Sequence, residues 1–274
     1  MKLMYITNDP QTALIAQNAG VDRIFIDMEY IGKDLRQGGM DTVQNHHTLE
    51  DVKDIRKVLT KSELLVRINP IHESSDIFSS SEEEIEAVIK ANADIIMLPY
   101  FKTACEVKRF LKAVNGRCKT LLLFETAESV ENIDEILKLD GIDEVFIGLN
   151  DLSLSYGYKF MFEPLANGTV EKIADKFKAC GLFFGFGGIA RLGEGTLSSE
   201  KIIAEHYRLG STCVILSRSF CNSNDMANKE EMNRLFANEV KRIRVYEEFC
   251  SHQSKEFFDK NTADVKSAVA AICR

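Results

Sequence analysis

The sequence lacks the features that mark several classes of protein. It has 4 prolines in 274 residues and no low-complexity tract, which argues against linkers and disorder. No stretch approaches the roughly 20 apolar residues that span a bilayer. The opening segment, residues 1–6, is too short an apolar run for a signal peptide, so we expect a cytoplasmic protein. The net charge of −8 predicts no binding to nucleic acid or to an anionic membrane.

Cysteine chemistry and nucleotide binding have equally little support. The 7 cysteines are an odd number without C-x-x-C spacing, so we expect reduced thiols and assign them no chemistry. Cys213 stands at the head of an apolar run and is expected to be a core residue. The glycine-rich stretch 185–195 matches neither of the common phosphate-binding patterns, so we infer no nucleotide.

Short apolar segments alternate with amphipathic ones along most of the chain. The predicted strands are 3–7, 23–29, 64–69, 94–100, 120–125, 144–148, 183–187 and 213–217. The predicted helices are 11–18, 49–59, 82–91, 103–114, 130–139, 169–179, 200–209 and 228–249. Eight βα units predict a (β/α)₈ TIM barrel over residues 1–223, with additional C-terminal helices in residues 224–274. A doubly wound open sheet is the alternative, but no glycine-rich loop follows the first strand.

Two carboxylates follow neighbouring predicted strands at the point where each strand ends. Glu125 and Asp151 are separated by one βα unit, so they lie at the same edge of the sheet. Such a pair suits a hard divalent cation, which takes one or two protein carboxylates and leaves positions for substrate. The alternative is that Glu125 caps the next helix and that Asp151 starts a turn.

Other polar side chains are predicted at the same edge. Asp27, Glu29 and Tyr30 end the second strand, and Arg67 ends the third. Beside a metal, the planar fork of an arginine suits a substrate carboxylate or a developing enolate. Further arginines, Arg191 and Arg218, follow the seventh and eighth strands.

Five blocks of sequence give the chain a specific resemblance. They are Asp27-Met28-Glu29, Val66-Arg67-Ile68-Asn69-Pro70, Ile96-Met97-Leu98-Pro99, Phe124-Glu125-Thr126-Ala127-Glu128 and Phe146-Ile147-Gly148-Leu149-Asn150-Asp151-Leu152-Ser153. In this order they resemble the HpcH/HpaI aldolase and citrate lyase β-subunit family, over residues 21–157 and more weakly to 219. The resemblance implies a barrel that uses Mg²⁺, Mn²⁺ or Co²⁺ to stabilise the enolate of pyruvate or a related 2-oxo acid.

The resemblance also implies roles for individual residues. Glu125 and Asp151 would be the metal ligands, and Arg67 would contact the oxo and enolate oxygen of the substrate. Gly148, Leu149 and Asn150 would line the substrate site.

The chain departs from the family pattern at two positions. Tyr30 stands where the aldolases carry a histidine that works with the aspartate in proton transfer, and Leu123 stands where they commonly carry glutamine. A tyrosine is a poor base at neutral pH, which puts the usual acid–base dyad in question.

Two histidines could replace the missing one. His46 and His47 end the long loop after the second strand, and either could act as acid or base. The alternative is that both are exposed at a helix start. After the seventh strand, the glycines of residues 187–195 and Arg191 could form an anion site or a flexible lid.

Together these observations predict a divalent-metal-dependent carbon–carbon lyase or aldolase that acts on a small 2-oxo acid. Two alternatives remain: an acyl-CoA lyase of the citryl or malyl type, and a non-catalytic relative that binds a metal and a carboxylate. Apolar residues Val265, Ala268, Val269 and Ile272 recur at helical spacing near the C-terminus and need a partner surface. With the family resemblance they predict a homo-oligomer, trimer or hexamer, with residues 224–274 at the interface. The alternative is that these helices pack onto the same barrel.

Overall fold

The computed structural model describes residues 1–33, 46–217, 219–221 and 228–274. Its centre is a closed barrel in which β1 to β8 pair in chain order, each parallel to the next and β8 with β1. The strands are Lys2–Ile6, Arg23–Asp27, Glu63–Arg67, Ile95–Leu98, Lys119–Phe124, Glu144–Ile147, Phe183–Ile189 and Cys213–Leu216. The predicted (β/α)₈ barrel is therefore confirmed, with every strand within a few residues of its predicted bounds.

Helices surround the barrel. In the described part of the chain they are Pro10–Asn18 (α1), Leu49–Val58 (α2), Ser81–Lys90 (α3), Ala104–Val114 (α4), Ala127–Glu131 (α5), Ile133–Ile136 (α6), Leu149–Ser155 (α7), Glu163–Ala166 (α8), Thr169–Ala179 (α9), Ser199–Leu209 (α10), Lys229–Ser251 (α11) and Lys255–Ile272 (α12). The helices α2, α3 and α4 begin with capping boxes at Thr48, Ser80 and Thr103. Each box satisfies backbone N–H groups that the first turn would leave without a partner. No helix among the described residues is both long and apolar enough to cross a membrane.

Alternating side chains divide the apolar residues into two layers. Phe25, Leu65 and Phe146 belong to a cluster that fills the inside of the barrel. Neighbouring residues on the same strands, such as Ile24 and Val66, face the helices instead. Cys213 is fully buried in the inner cluster, as its place in the apolar run predicts.

A charged network closes the barrel at the amino ends of the strands. Arg23 is completely buried and donates two hydrogen bonds to Glu144, at 2.7 and 2.6 Å, and one to Glu63 at 2.9 Å. Burial alone would lower the pKa of Arg23, but its bonds to Glu144 outweigh this effect and raise the pKa. Because the three residues begin β2, β6 and β3, the network ties opposite sides of the barrel together.

The structure corrects two helix predictions. The single helix predicted over 130–139 is two short helices, α5 and α6, which meet at Asn132. No helix is predicted over residues 149–155, which form α7. Asp151 therefore lies in the first turn of a helix.

The C-terminal helices pack against the same chain. Val265 and Val269 of α12 are buried, and α12 contacts α10 and α8 of its own barrel. The predicted domain boundary between residues 223 and 224 lies outside the described residues.

Candidate functional site

The carboxyl ends of β2 and β3 carry a paired aspartate and arginine. Asp27 and Arg67 are direct neighbours in the β2–β3 pairing. The Nε and Nη2 atoms of Arg67 donate to the two carboxylate oxygens of Asp27, each at 2.8 Å. The Nη1 atom lies 3.3 Å from Oε2 of Glu29. A bidentate pair of this kind fixes the plane of the guanidinium.

Charge coupling at this pair holds both groups ionised. Burial raises the pKa of Asp27, but the positive charges and hydrogen bonds of Arg67 and Lys33 outweigh it and hold this pKa far below its usual range. Burial lowers the pKa of Arg67, but the charges of Asp27 and Glu29 outweigh it and raise this pKa well above its ordinary value. The charge of Glu125 adds to the second effect, so the electrostatics couple β3 to β5.

Lys33 is a member of this cluster that we did not predict from the sequence. Its ammonium lies 2.6 Å from Oδ2 of Asp27 and 3.9 Å from Oε2 of Glu29, and the residue is only 5% exposed. Little in the sequence points to Lys33 as a site residue, since a lone lysine in the loop after β2 matches no motif. Only the course of that loop brings its side chain back to the end of β2.

Tyr30 and the two histidines have different surroundings. The hydroxyl of Tyr30 donates to the backbone carbonyl of His47 at 2.8 Å, and burial, then Asp51 and Asp27, raise its pKa. His47 is buried, whereas His46 is exposed and lies against the Tyr30 ring at 5.3 Å. Residues 34–45 of this loop, including Asn45, lie outside the described residues.

His47 accepts a hydrogen bond at the site. The backbone N–H of Asp27 donates to its Nδ1 atom at 3.1 Å, which assigns the ring proton of a neutral His47 to Nε2. Burial lowers the pKa of His47, and the charges of Lys33 and Arg67 act in the same direction against those of Asp27 and Asp51. The ring is therefore neutral at neutral pH and could donate from Nε2.

Asn69 fixes the start of the same loop. Its side-chain oxygen accepts from the backbone N–H groups of Tyr30 and Ile31, at 2.8 and 2.9 Å. Its side-chain nitrogen donates to Glu84 of α3 at 3.0 Å. Glu84 is buried, and burial raises its pKa. This chain of hydrogen bonds couples the β2 loop to the helix outside β3.

The predicted metal pair follows β5 and β6 at the same rim. Glu125, 2% exposed, follows β5, and Asp151, 6% exposed, lies in the first turn of α7 after β6. The backbone N–H of Tyr100 donates to Oε1 of Glu125 at 3.0 Å. Thr126, and not Glu125, caps the helix that follows, since its hydroxyl oxygen accepts from the N–H of Ser129 at 3.0 Å.

The residue before α7 leaves room for the glutamate. A Cβ atom placed on Gly148 would lie 2.7 Å from Oε2 of Glu125 and 3.2 Å from the side chain of Leu123. Only a residue without a side chain fits this close approach. Leu123, which replaces the glutamine common in the family, thus faces the inside of the barrel next to the carboxylate.

The predicted substrate-binding residues have unequal access to the site. Leu149 is buried in the outer apolar layer, so its side chain serves packing, while Gly148 and Asn150 are partly exposed. Arg191 pairs with Glu194 of its own loop at 3.1 Å, and we find no ion pair from it to the rim carboxylates within the described ranges. Arg218 lies outside the described residues.

The charges at the rim suit a divalent cation. Among the described residues this rim carries two cations, Arg67 and Lys33, and four buried carboxylates, those of Asp27, Glu29, Glu125 and Asp151. Carboxylate oxygens are the ligands that hard divalent cations prefer. No cluster of three or more His, Cys, Asp and Glu side chains able to hold a metal occurs in the part of the chain that the structure describes. Two carboxylates nevertheless fit Mg²⁺ or Mn²⁺, which complete their coordination with water and substrate.

The fold and this rim place the chain among (β/α)₈ barrel proteins whose functional groups gather at the carboxyl ends of the strands. More narrowly, the chain belongs to the HpcH/HpaI aldolase/citrate lyase family, whose model matches residues 2–163.

Two hydroxypyruvate/pyruvate aldolases are similar in sequence to parts of this chain. A hydroxypyruvate/pyruvate aldolase of Rhizorhabdus wittichii is 43% identical over 79 residues, which cover 26% of this chain and 32% of the relative. One from Roseovarius nubinhibens is 24% identical over 162 residues, 55% of this chain and 62% of the relative. These matches thus span from about a third to three-fifths of each relative's length.

A solved structure supports the fold. The HpcH/HpaI aldolase of Desulfitobacterium hafniense superimposes with a TM-score of 0.59 at 16% identity, covering 88% of this chain and 92% of the other. At this identity the likeness concerns the fold alone.

Proposed function

We propose that this protein is a divalent-metal-dependent aldolase, or carbon–carbon lyase, that acts on a small 2-oxo acid such as pyruvate or on its aldol adduct. The observation that supports the proposal is the placement of Arg67 and two buried carboxylates, Glu125 and Asp151, at the carboxyl ends of their strands, with the charge of Glu125 acting on Arg67. The family supplies the reaction class, and its two relatives described above are named hydroxypyruvate/pyruvate aldolases.

A metal ion held by Glu125 and Asp151 and the guanidinium of Arg67 would both stabilise the negative charge of the enolate. A divalent cation held by Glu125 and Asp151 would act as a Lewis acid toward the oxo and carboxylate oxygens of the substrate. The guanidinium of Arg67 would donate to the same oxo oxygen as its negative charge grows. Because Asp27 already fixes the guanidinium, little reorganisation is needed when that charge appears.

Asp27 has a supporting role in this proposal. The resemblance implies that this aspartate takes part in proton transfer, but its carboxylate already accepts from Arg67 and Lys33, and its pKa lies far below the working range. A carboxylate in that state is a poor base at neutral pH. We assign Asp27 to orienting Arg67, with Glu29 holding the outer nitrogen of the fork.

Tyr30 is not suited to replace the family histidine as a base. Its hydroxyl is engaged with the carbonyl of His47, and its pKa is raised. The proposal therefore assigns Tyr30 to holding the loop that carries His47.

Release of pyruvate from 4-hydroxy-2-oxo acids tests the proposal. The purified protein, freed of metal and then supplied with Mg²⁺, Mn²⁺ or Co²⁺, is expected to release pyruvate from at least one member of a panel of these acids. Citryl-CoA and malyl-CoA form a second arm for the acyl-CoA lyase alternative. Metal binding without turnover of any substrate would favour the non-catalytic alternative and contradict the proposal.

A further inference from the structure

Lys33 is a buried cation whose hydrogen-bonding capacity is only partly used. A lysine ammonium has three N–H donors. In the described residues one of them reaches Asp27 at 2.6 Å, while Glu29 lies beyond hydrogen-bond distance at 3.9 Å. Buried polar groups are nearly always hydrogen-bonded, because a lost bond to water is otherwise not replaced. An ammonium in this state is ready to bind a further oxygen atom.

The ammonium also lies beside the proposed enolate-binding arginine. Lys33 Nζ and Arg67 Nη2 both bond to the same oxygen, Oδ2 of Asp27, at 2.6 and 2.8 Å. The two donors are therefore separated by no more than the sum of these distances. In a 4-hydroxy-2-oxo acid a single carbon separates the carbons that carry the oxo and hydroxyl oxygens. A substrate whose oxo group is held at Arg67 can therefore direct its hydroxyl toward Lys33.

Of the other groups near Asp27, Tyr30 and Asp27 itself have their proton-transfer atoms engaged, and His47 keeps Nε2 as a donor. The Tyr30 hydroxyl donates to a backbone carbonyl, and Nδ1 of His47 accepts from a backbone N–H. Asp27 itself accepts from two cations. Lys33 combines burial at the rim with N–H donors that have no hydrogen-bond partner among the described residues.

We propose that Lys33 is the catalytic residue that transfers the proton at the aldehyde-derived oxygen of the substrate, an inference that rests on the proposed function. In the addition direction the enolate carbon forms a bond to the aldehyde carbon, the carbonyl electron pair moves to oxygen, and Lys33 gives that oxygen a proton. In cleavage the neutral amine takes the hydroxyl proton as the carbon–carbon bond breaks and the enolate forms. Solvent restores the protonation state of Lys33 between turnovers.

Two reactions separate this role from that of the metal pair. Exchange of the pyruvate methyl protons with D₂O requires the enolate but no aldehyde, whereas addition to glycolaldehyde, glyceraldehyde or glyoxylate requires both. For Lys33→Met and Lys33→Arg we expect exchange within about threefold of wild type and addition slower by about 10²-fold or more, the contribution of a general acid. The exposed Lys53→Met, on α2, is the control.

The variant Lys33→Arg separates the effect of losing proton transfer from the effect of losing the positive charge. It keeps the positive charge beside Asp27, but a guanidinium does not give up its proton at neutral pH. Addition restored to within about tenfold of wild type in this variant would overturn the inference, as would equal losses of exchange and addition or full addition activity in Lys33→Met. Thermal melting verifies that each variant is folded. A wild-type protein that catalyses neither reaction overturns the proposed function and this inference with it.

Discussion

The guanidinium of Arg67 and the carboxylate of Asp27 face each other across adjacent strands and share two parallel hydrogen bonds of 2.8 Å. The pair is formed by residues in register at the ends of β2 and β3. The register of the sheet thus brings the two groups together, and Lys33 and Glu29 of the loop after β2 add contacts to them. The arginine is held in one plane before any substrate arrives, which is the condition for electrostatic stabilisation without reorganisation.

Replacing Arg67 by lysine tests that geometry while keeping the charge. An ammonium cannot reproduce a planar fork, so we expect kcat to fall by about 10²-fold with a smaller change in KM. Steady-state kinetics with the substrate found in the panel measures both. Arg109→Lys is the matched control, because Arg109 also forks onto a carboxylate, that of Glu82, on the outer surface. A kcat near that of wild type would limit Arg67 to a structural role.

The metal assignment predicts that chelation abolishes activity. Glu125→Gln and Asp151→Asn each remove a negative oxygen donor, so we expect Mg²⁺ or Mn²⁺ affinity to fall at least tenfold by calorimetry, with the fold retained. Glu128→Gln is the control from the same segment, since Glu128 is half-exposed and paired with Lys102. Unchanged metal affinity in both site variants would refute the assignment.

Gly148→Ala tests the close approach to Glu125. The φ angle of −80° suits alanine, so the variant adds a methyl group without backbone strain. That methyl group would lie 2.7 Å from Oε2 of Glu125 and must displace it. We expect weaker metal binding and a loss of stability of about 1–3 kcal/mol. Gly188→Ala, whose methyl group meets its nearest atom at 3.4 Å, is the control. Equal metal affinity in the two variants would contradict the described packing.

From the lowered pKa of Glu63 we predict that the folded protein loses stability in acid. Burial raises its pKa, but hydrogen bonds from Lys119 and Arg23 outweigh this and lower the pKa to about 2. A lowered folded-state pKa stabilises the fold above the unfolded value, near 4.3, and this contribution is lost as the pH falls toward 2. Allowing for partial exposure, we expect it to be worth ~1–2 kcal/mol at pH 7.

Urea denaturation of Glu63→Gln at several pH values measures this contribution. The free energy of unfolding of the variant should lie below that of wild type at pH 7, and the difference should narrow below about pH 4.5. Glu50→Gln, at an exposed position on α2, should show a small difference at every pH. A difference that stays constant from pH 7 to pH 3 would contradict the coupling of Glu63 to its cations.

Exposed apolar side chains on the C-terminal helices bear on the predicted homo-oligomer. Val245 and Phe249 of α11 are 63% and 46% exposed, and Ile272 of α12 is 39% exposed. We expect light scattering to give a mass above that of the monomer, and Val245→Glu with Phe249→Glu to reduce it. Phe183→Glu, also 63% exposed but at the start of β7, is the control. A monomeric wild type, or an assembly that only Phe183→Glu breaks, would refute this interface.

The barrel could be predicted from the sequence because its strands are apolar on both faces and its helices have clear starts. Thr48 and Asp51, three residues apart, form the capping box at the start of α2. The sequence does not predict the short helix α7, because its N-cap residue, Gly148, has no side chain to cap it.

Site residues could be predicted only at strand ends, where the order of the strands in the chain determines their order around the barrel. Asp27, Arg67 and Glu125 lie at or directly after strand ends, so their meeting at one rim follows from the parallel barrel. Lys33 and His47 belong to the loop after β2, and the hydrophobic pattern of a sequence does not predict which side chains of a loop lie at the rim. The adjacent His46 and His47 look equivalent in the sequence, yet one is exposed and the other buried.

The buried Arg23–Glu144 pair has a kinetic consequence. That pair and the inner apolar cluster fill the barrel toward the amino ends of the strands, so the described residues close that end to reactants. Two reactants that bind in a barrel closed at that end must bind in order, because the one bound deeper cannot pass the one bound nearer the surface. We therefore expect the 2-oxo acid, anchored toward Glu125 and Arg67, to enter before the aldehyde and to depart after it.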